Sequence, residues 1–118
     1  MVFGRRRHKP PQRGHVRHCE DPRTRSGGRG GHHYVVLLQE KPNGVWLGAV
    51  IESNPANPVF TFSEPNIANR AGVNIGSGIR LPVAAIPAAR VGDKRGAVAE
   101  ITVLKIEIAI ATAMSPGS

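Results

Sequence analysis

Apolar positions are unevenly spread along this chain: residues 1–33 have no apolar period, and short apolar runs separated by Pro, Gly and Asn follow from Tyr34 onward. Tyr34-Val35-Val36-Leu37-Leu38 is apolar throughout and β-prone, as expected of a strand covered on both faces. After the Lys41-Pro42-Asn43-Gly44 break, residues 46, 47, 50 and 51 are apolar, a spacing that predicts a helix over Val45–Ile51 with Pro42 in or near its first turn. Asn54-Pro55-Ala56-Asn57-Pro58 ends that element, and Val59-Phe60-Thr61-Phe62 reads as a second strand.

Ser63 as N-cap and Pro65 in the first turn predict a second helix. Ile67, Ala71, Ile75 and Ile79 recur at every fourth residue along it, interrupted by Gly72, Gly76 and Gly78. Pro82–Val91 is apolar and extended, restricted by its prolines to an edge or irregular strand. Gly92–Gly96 reads as a turn. Ile106, Ile108 and Ile110 then alternate with Glu107 and Ala109, which predicts a central strand over 100–110 entered through a hairpin. The expected order is β-α-β-α-β-β, a small two-layer α/β sandwich over residues 34–113, preceded by an arm (1–33) and followed by a frayed end (114–118).

Charge sharpens the division. Nine of the sixteen Lys and Arg residues lie in 1–33, namely Arg5, Arg6, Arg7, Lys9, Arg13, Arg17, Arg23, Arg25 and Arg29, against Glu20 and Asp21 alone. The arm is therefore +7 and residues 34–118 only +1. With Pro10, Pro11, Pro22 and Gly27-Gly28-Arg29-Gly30-Gly31, the arm is expected to be disordered when free. A cationic arm on a nearly neutral body suits a polyanion, and arginine's planar fork suits phosphates and base edges.

Three stretches of the body form an ordered set: Tyr34-Val35-Val36-Leu37 with Lys41-Pro42, Asn66–Ile75 with Asn69-Arg70-Ala71 inside it, and Lys94-Arg95-Gly96 before Leu104–Ile110. In that order they resemble the first strand and opening of the first helix, the second-helix signature, and the basic hairpin tip and last strand of the Alba family of nucleic-acid-binding proteins. The resemblance implies that Lys41 lies near the nucleic-acid face, Arg70 on the second helix, and Lys94 and Arg95 at a tip that reaches into a groove. It also implies a homodimer formed through the second helix and adjoining sheet, where Gly72 and Gly76 would allow close approach.

Other chemistries find less support. His8, His15, His18, Cys19, His32 and His33 are all in the arm and lack the paired-donor spacing of a zinc site, so no metal or cofactor is expected. A body without histidine or cysteine cannot build Ser-His or Cys-His catalysis, and no Walker loop or dinucleotide fingerprint is present, so no enzyme is expected. No apolar run is long enough to span a membrane. One cysteine fits a reducing compartment, and an intracellular place in cytoplasm, nucleoid or nucleus is expected rather than secretion. The expected function is non-enzymatic binding of DNA or RNA. The alternative is an assembly subunit, a viral coat or ribosomal protein, whose arm enters RNA.

Overall fold

His15–Glu20 forms the first strand, β1, of a computed structural model that describes residues 10–28 and 30–115. The other elements are β2 (Arg23–Thr24), β3 (Gly27–Gly28), β4 (His32–Glu40), β5 (Val45–Glu52), β6 (Phe60–Thr61), α1 (Pro65–Ala71), β7 (Gly78–Ile79), β8 (Ala84–Pro87), β9 (Lys94–Ala97) and α2 (Glu100–Met114). A 3-10 turn, Ala88–Arg90, links β8 to β9. The protein is a small α+β fold, a mostly antiparallel sheet with two helices.

The main strand path runs β3-β2-β8-β5-β4-β1-β9, and β6 and β7 pair beside the end of β5. Only Asp21 and Pro22 separate β1 from β2, yet β4, β5 and β8 lie between them in the sheet. The sheet must therefore roll until the Glu20 end of β1 approaches β8, and Glu20, Pro22, Arg23, Ile86 and Pro87 line one depression there. Rolling gives the sheet an inner face, where Cys19, Val35, Leu37, Trp46, Val50, Ala84 and Ile86 form one core. The outer face carries Val16, Val36, Leu38, Ala49 and Ile51, covered by Phe62, by Ala68 and Ala71 of α1, and by Val103, Ile106 and Ile110 of α2.

This architecture departs from the expected β-α-β-α-β-β order at four places, each with a physical cause. Val45–Glu52 is a strand, not a helix. Trp46 and Val50 face one core while Ala49 and Ile51 face the other, so both faces are apolar and the period-2 signal disappears. The second helix stops at Ala71 because Gly72 takes a left-handed φ of 75° and its N–H closes back on the last turn. Ile75 is then exposed in a loop and Ile79 belongs to β7, so the four-residue stripe is shared among three elements, and Gly72 and Gly76 do not lie together on a helix. Pro65 does open the helix, but Glu64, not Ser63, is its N-cap.

Lys94–Ala97 is an edge strand on β1 rather than a turn. The expected last strand is helix α2: Thr102, Val103, Ile106 and Ile110 are buried while Ile101 and Ile108 point to solvent, a 3.6-residue period. Met114 is the last helical residue, and residues 116–118 lie outside the described part.

The arm requires the largest correction. Within 1–33, residues 1–9 and Arg29 lie outside the described residues, but His15–Glu20 is paired on both sides, by β4 and β9. Val16 and Cys19 enter the two cores, and the Arg17 side chain is satisfied where it is buried. A strand this polar can be central only because its hydrogen-bonding groups find partners inside the protein.

Candidate nucleic-acid interface

Towards the Glu20 end of β1 the helices no longer cover the outer face. The antiparallel register sets His18 opposite Tyr34 and Glu20 opposite His32. His18, His32 and Tyr34 therefore share one face as direct and diagonal neighbours. The His18 and His32 rings stack with centroids 4.8 Å apart and 7° between planes. Tyr34 tilts against His18 at 5.4 Å. The three rings form one aromatic surface.

Arg95, on β9, lies across Tyr34 with its guanidinium carbon 5.2 Å from the ring centroid. Its Nε donates to the Gly72 carbonyl at 2.9 Å, just past the end of α1. A side chain at Gly72 would strike Arg95 as well as strain the backbone, so this glycine both ends the helix and seats the arginine. Glu52, across from these rings, accepts from Arg80 Nη1 at 3.1 Å.

Beside the rings lies a cavity of about 440 Å³ lined by His18, His32, His33, Tyr34, Ile51, Glu52 and Ser53. A second, of about 220 Å³, shares Tyr34, Ile51, Glu52 and Ser53 and extends to Asn74, Ser77 and Arg95. Together they make one open cleft with imidazole and phenol rings on its floor and Arg95 at its edge. The His33 ring is held by a 3.0 Å contact between Nε2 and the Gly30 carbonyl.

The cations expected to grip nucleic acid are distributed very differently. Arg95 is at the cleft, Lys94 is its exposed neighbour on β9, and Arg70 is exposed near the end of α1, against which β9 packs. Arg23 and Arg25 are exposed at the β2–β3 hairpin, and Lys41 is exposed at the β4–β5 turn, the opposite end of that hairpin from Tyr34.

Arg13 and Arg17 are already engaged. Arg13 reaches α2, donating to Glu100 at 2.8 Å and Glu107 at 2.7 Å, and also to the Leu38 carbonyl. That pairing raises the Arg13 pKa, and Arg13's hydrogen bonds lower that of Glu100. Arg17 is 2 % exposed, with Nε donating to the Gly92 carbonyl at 2.6 Å and Nη1 3.2 Å from His15 Nδ1. Burial pulls its pKa down, and no ligand can reach it. Arg5, Arg6, Arg7, Lys9 and Arg29 lie outside the described residues.

No local pattern marks His18, His32, His33, Tyr34 or Glu52 as site residues, because an arm expected to be disordered over 15–33 parts the histidines from the strand that seats them. The alternation His32, Tyr34, Val36 was the available signal, since it continues the strand two residues at a time into the supposed arm. Cys19 is buried in the inner core, where burial pushes its thiol pKa up and away from reactivity.

Among the described residues no three of His, Cys, Asp and Glu converge on a metal position, and no helix is long and apolar enough to cross a membrane. A scan against protein-family models finds no match to this chain, and no curated protein matches it.

Proposed function

We propose that the cleft binds single-stranded nucleic acid, with a base on the His18–His32–Tyr34 surface and phosphates against Arg95, Lys94 and Arg70. The carrying observation is the parallel stack of His18 and His32 beside an arginine already laid over Tyr34. Aromatic and imidazole faces accept any base by stacking, worth about 1–3 kcal/mol per base, and a nearby arginine fixes the backbone. An opening of about 440 Å³ is within the usual range for a small-molecule-sized group. A duplex keeps its bases stacked inside, so this surface favours an unpaired strand. Residues 1–9, with four further cations, would add sequence-independent, salt-sensitive attraction.

The test is fluorescence anisotropy of labelled single-stranded and duplex RNA and DNA with the full-length protein at two salt concentrations. Tighter binding of single strands, weakened by His18→Ala and by Arg95→Ala, is the expected result. Equal binding of duplex and single strand, unchanged by either substitution, refutes the cleft and returns the interaction to residues 1–9.

A second reading is favoured by one observation: the fold brings His18, His32 and His33 into one cleft, which removes the premise of a histidine-free body. In that reading the cleft cuts the RNA it holds. One imidazole takes the proton of a 2′-hydroxyl as that oxygen attacks the adjacent phosphorus, a second protonates the departing 5′-oxygen, and a cyclic phosphate and a free hydroxyl result. Incubating the protein with end-labelled RNA separates the readings. Intact RNA supports binding alone; cleavage abolished in His18→Ala supports the second.

A further inference from the structure

Helix α2 is apolar on two sides. One side, Thr102, Val103, Ile106 and Ile110, packs into the protein's own core. On the other side Ile101 is 61 %, Leu104 42 % and Ile108 65 % exposed, and Ala111 continues the line in solvent. The spacing 101, 104, 108, 111 steps by three, four and three residues, the a and d positions of a heptad seam. A helix that is apolar all round is ordinarily buried all round.

We propose that a second copy of this chain covers this stripe, its α2 lying parallel and in register with the first about a two-fold axis. Three features of the stripe select that occupant. Isoleucine at a (101, 108) with leucine at d (104) is the pattern of two-stranded parallel pairs. Charge fits as well: Glu100 and Glu107 flank the seam on one side and Lys105 on the other. Parallel pairing brings Glu100 of each copy to Lys105 of the other, five residues along, the usual cross-strand charge pair, whereas antiparallel pairing faces like flank to like flank. Glu100 can take a second cation, because its side chain remains 62 % exposed beside Arg13. The helix is also already folded and held by its own sheet, so pairing does not bear the cost of forming it.

Arg13 and Leu38 tie the start of α2 to the His15 end of β1, away from the cleft at the Glu20 end. Nucleic-acid binding has no part in the inference.

Two heptads bury less than the roughly 800 Å² per partner of a standard interface, so the dimer is expected to be weak and concentration-dependent. Sedimentation equilibrium of the full-length chain from about 1 to 500 µM tests it. A monomer–dimer equilibrium that Ile108→Glu weakens at least about tenfold, with circular dichroism unchanged, is the expected result; Ile108 is exposed, so the substitution leaves the core intact. Orientation is read from Ile101→Cys and Ile108→Cys, made separately and oxidised. A parallel pair links each to its own counterpart, and the buried Cys19 contributes little background. A monomer throughout the range, a dimer that survives Ile108→Glu, or a cross-link at only one of the two positions overturns the proposal.

Discussion

Strand β1 and helix α2 reverse what their compositions suggest. His15–Glu20 reads His-Val-Arg-His-Cys-Glu, yet His15, Val16, Arg17 and Cys19 are all buried. Glu100–Met114 is rich in isoleucine, yet Ile101 and Ile108 are among the most exposed large apolar side chains described. The contrast teaches that burial here follows an element's position between layers. β1 sits between two strands and beneath two cores, so even an arginine is enclosed. Helix α2 lies outermost, so within a single chain one of its faces is left uncovered however apolar it is. The polar strand tolerates enclosure because Arg17 finds the Gly92 carbonyl; a buried arginine left without partners costs several kcal/mol.

The largest expected effect tests the enclosed arginine. Arg17→Ala removes a buried charged donor, leaves the Gly92 carbonyl without that bond and opens a cavity, and is expected to cost about 3–5 kcal/mol in urea unfolding. A loss below about 1 kcal/mol would mean β1 is peripheral. Next comes a pair within α2. Ile106→Ala should cost about 2–5 kcal/mol and Ile108→Ala less than about 0.5 kcal/mol in a monomer at low concentration. Along a strand, positions 106 and 108 would share a face and cost about the same, so equal losses would restore the strand.

A smaller effect is expected in the cleft. Arg95→Ala should weaken single-strand binding about tenfold, or about 1.4 kcal/mol, and lower the salt dependence. Lys41→Ala, at the far end of the β4–β5 hairpin, should leave binding unchanged in the same anisotropy assay. The smallest effect concerns the link between the two compared regions, Arg13 to Glu100 and Glu107. Arg13's hydrogen bonds lower the Glu100 pKa in the folded state, so the stabilisation is present above the ordinary glutamate value and fades as pH falls through the lowered one. Melting temperatures of the parent and Arg13→Ala should therefore differ by a few degrees at neutral pH and converge in acid. A constant gap across that range would assign the effect to the Leu38 carbonyl contact instead.

Individual residues show how much was legible beforehand. Pro65 marked the start of α1, Tyr34–Leu38 marked β4, and the proline-flanked run marked β8, because each signal is a constraint on local backbone. Val45–Ile51 reads as a helix because two apolar faces erase the alternation that distinguishes strand from helix. Ile106, Ile108 and Ile110 misled in the opposite sense: their alternation coincides with a helical set in which only 106 and 110 share a buried side. Among the candidate site residues, Arg95, Arg70 and Lys94 come near one another, while Arg13 and Arg17 serve the fold.

By itself the sequence determined where charge, chain breakers and the single cysteine stand, because these are properties of residues and their immediate neighbours. Tertiary structure alone decided which apolar runs became strands, which arginines became enclosed and which rings met in the cleft. The physical reason is distance along the chain. Arg17 meets a carbonyl 75 residues away and Arg13 a carboxylate 94 residues away, while Tyr34 receives its arginine from β9 only after the sheet has brought the strands together.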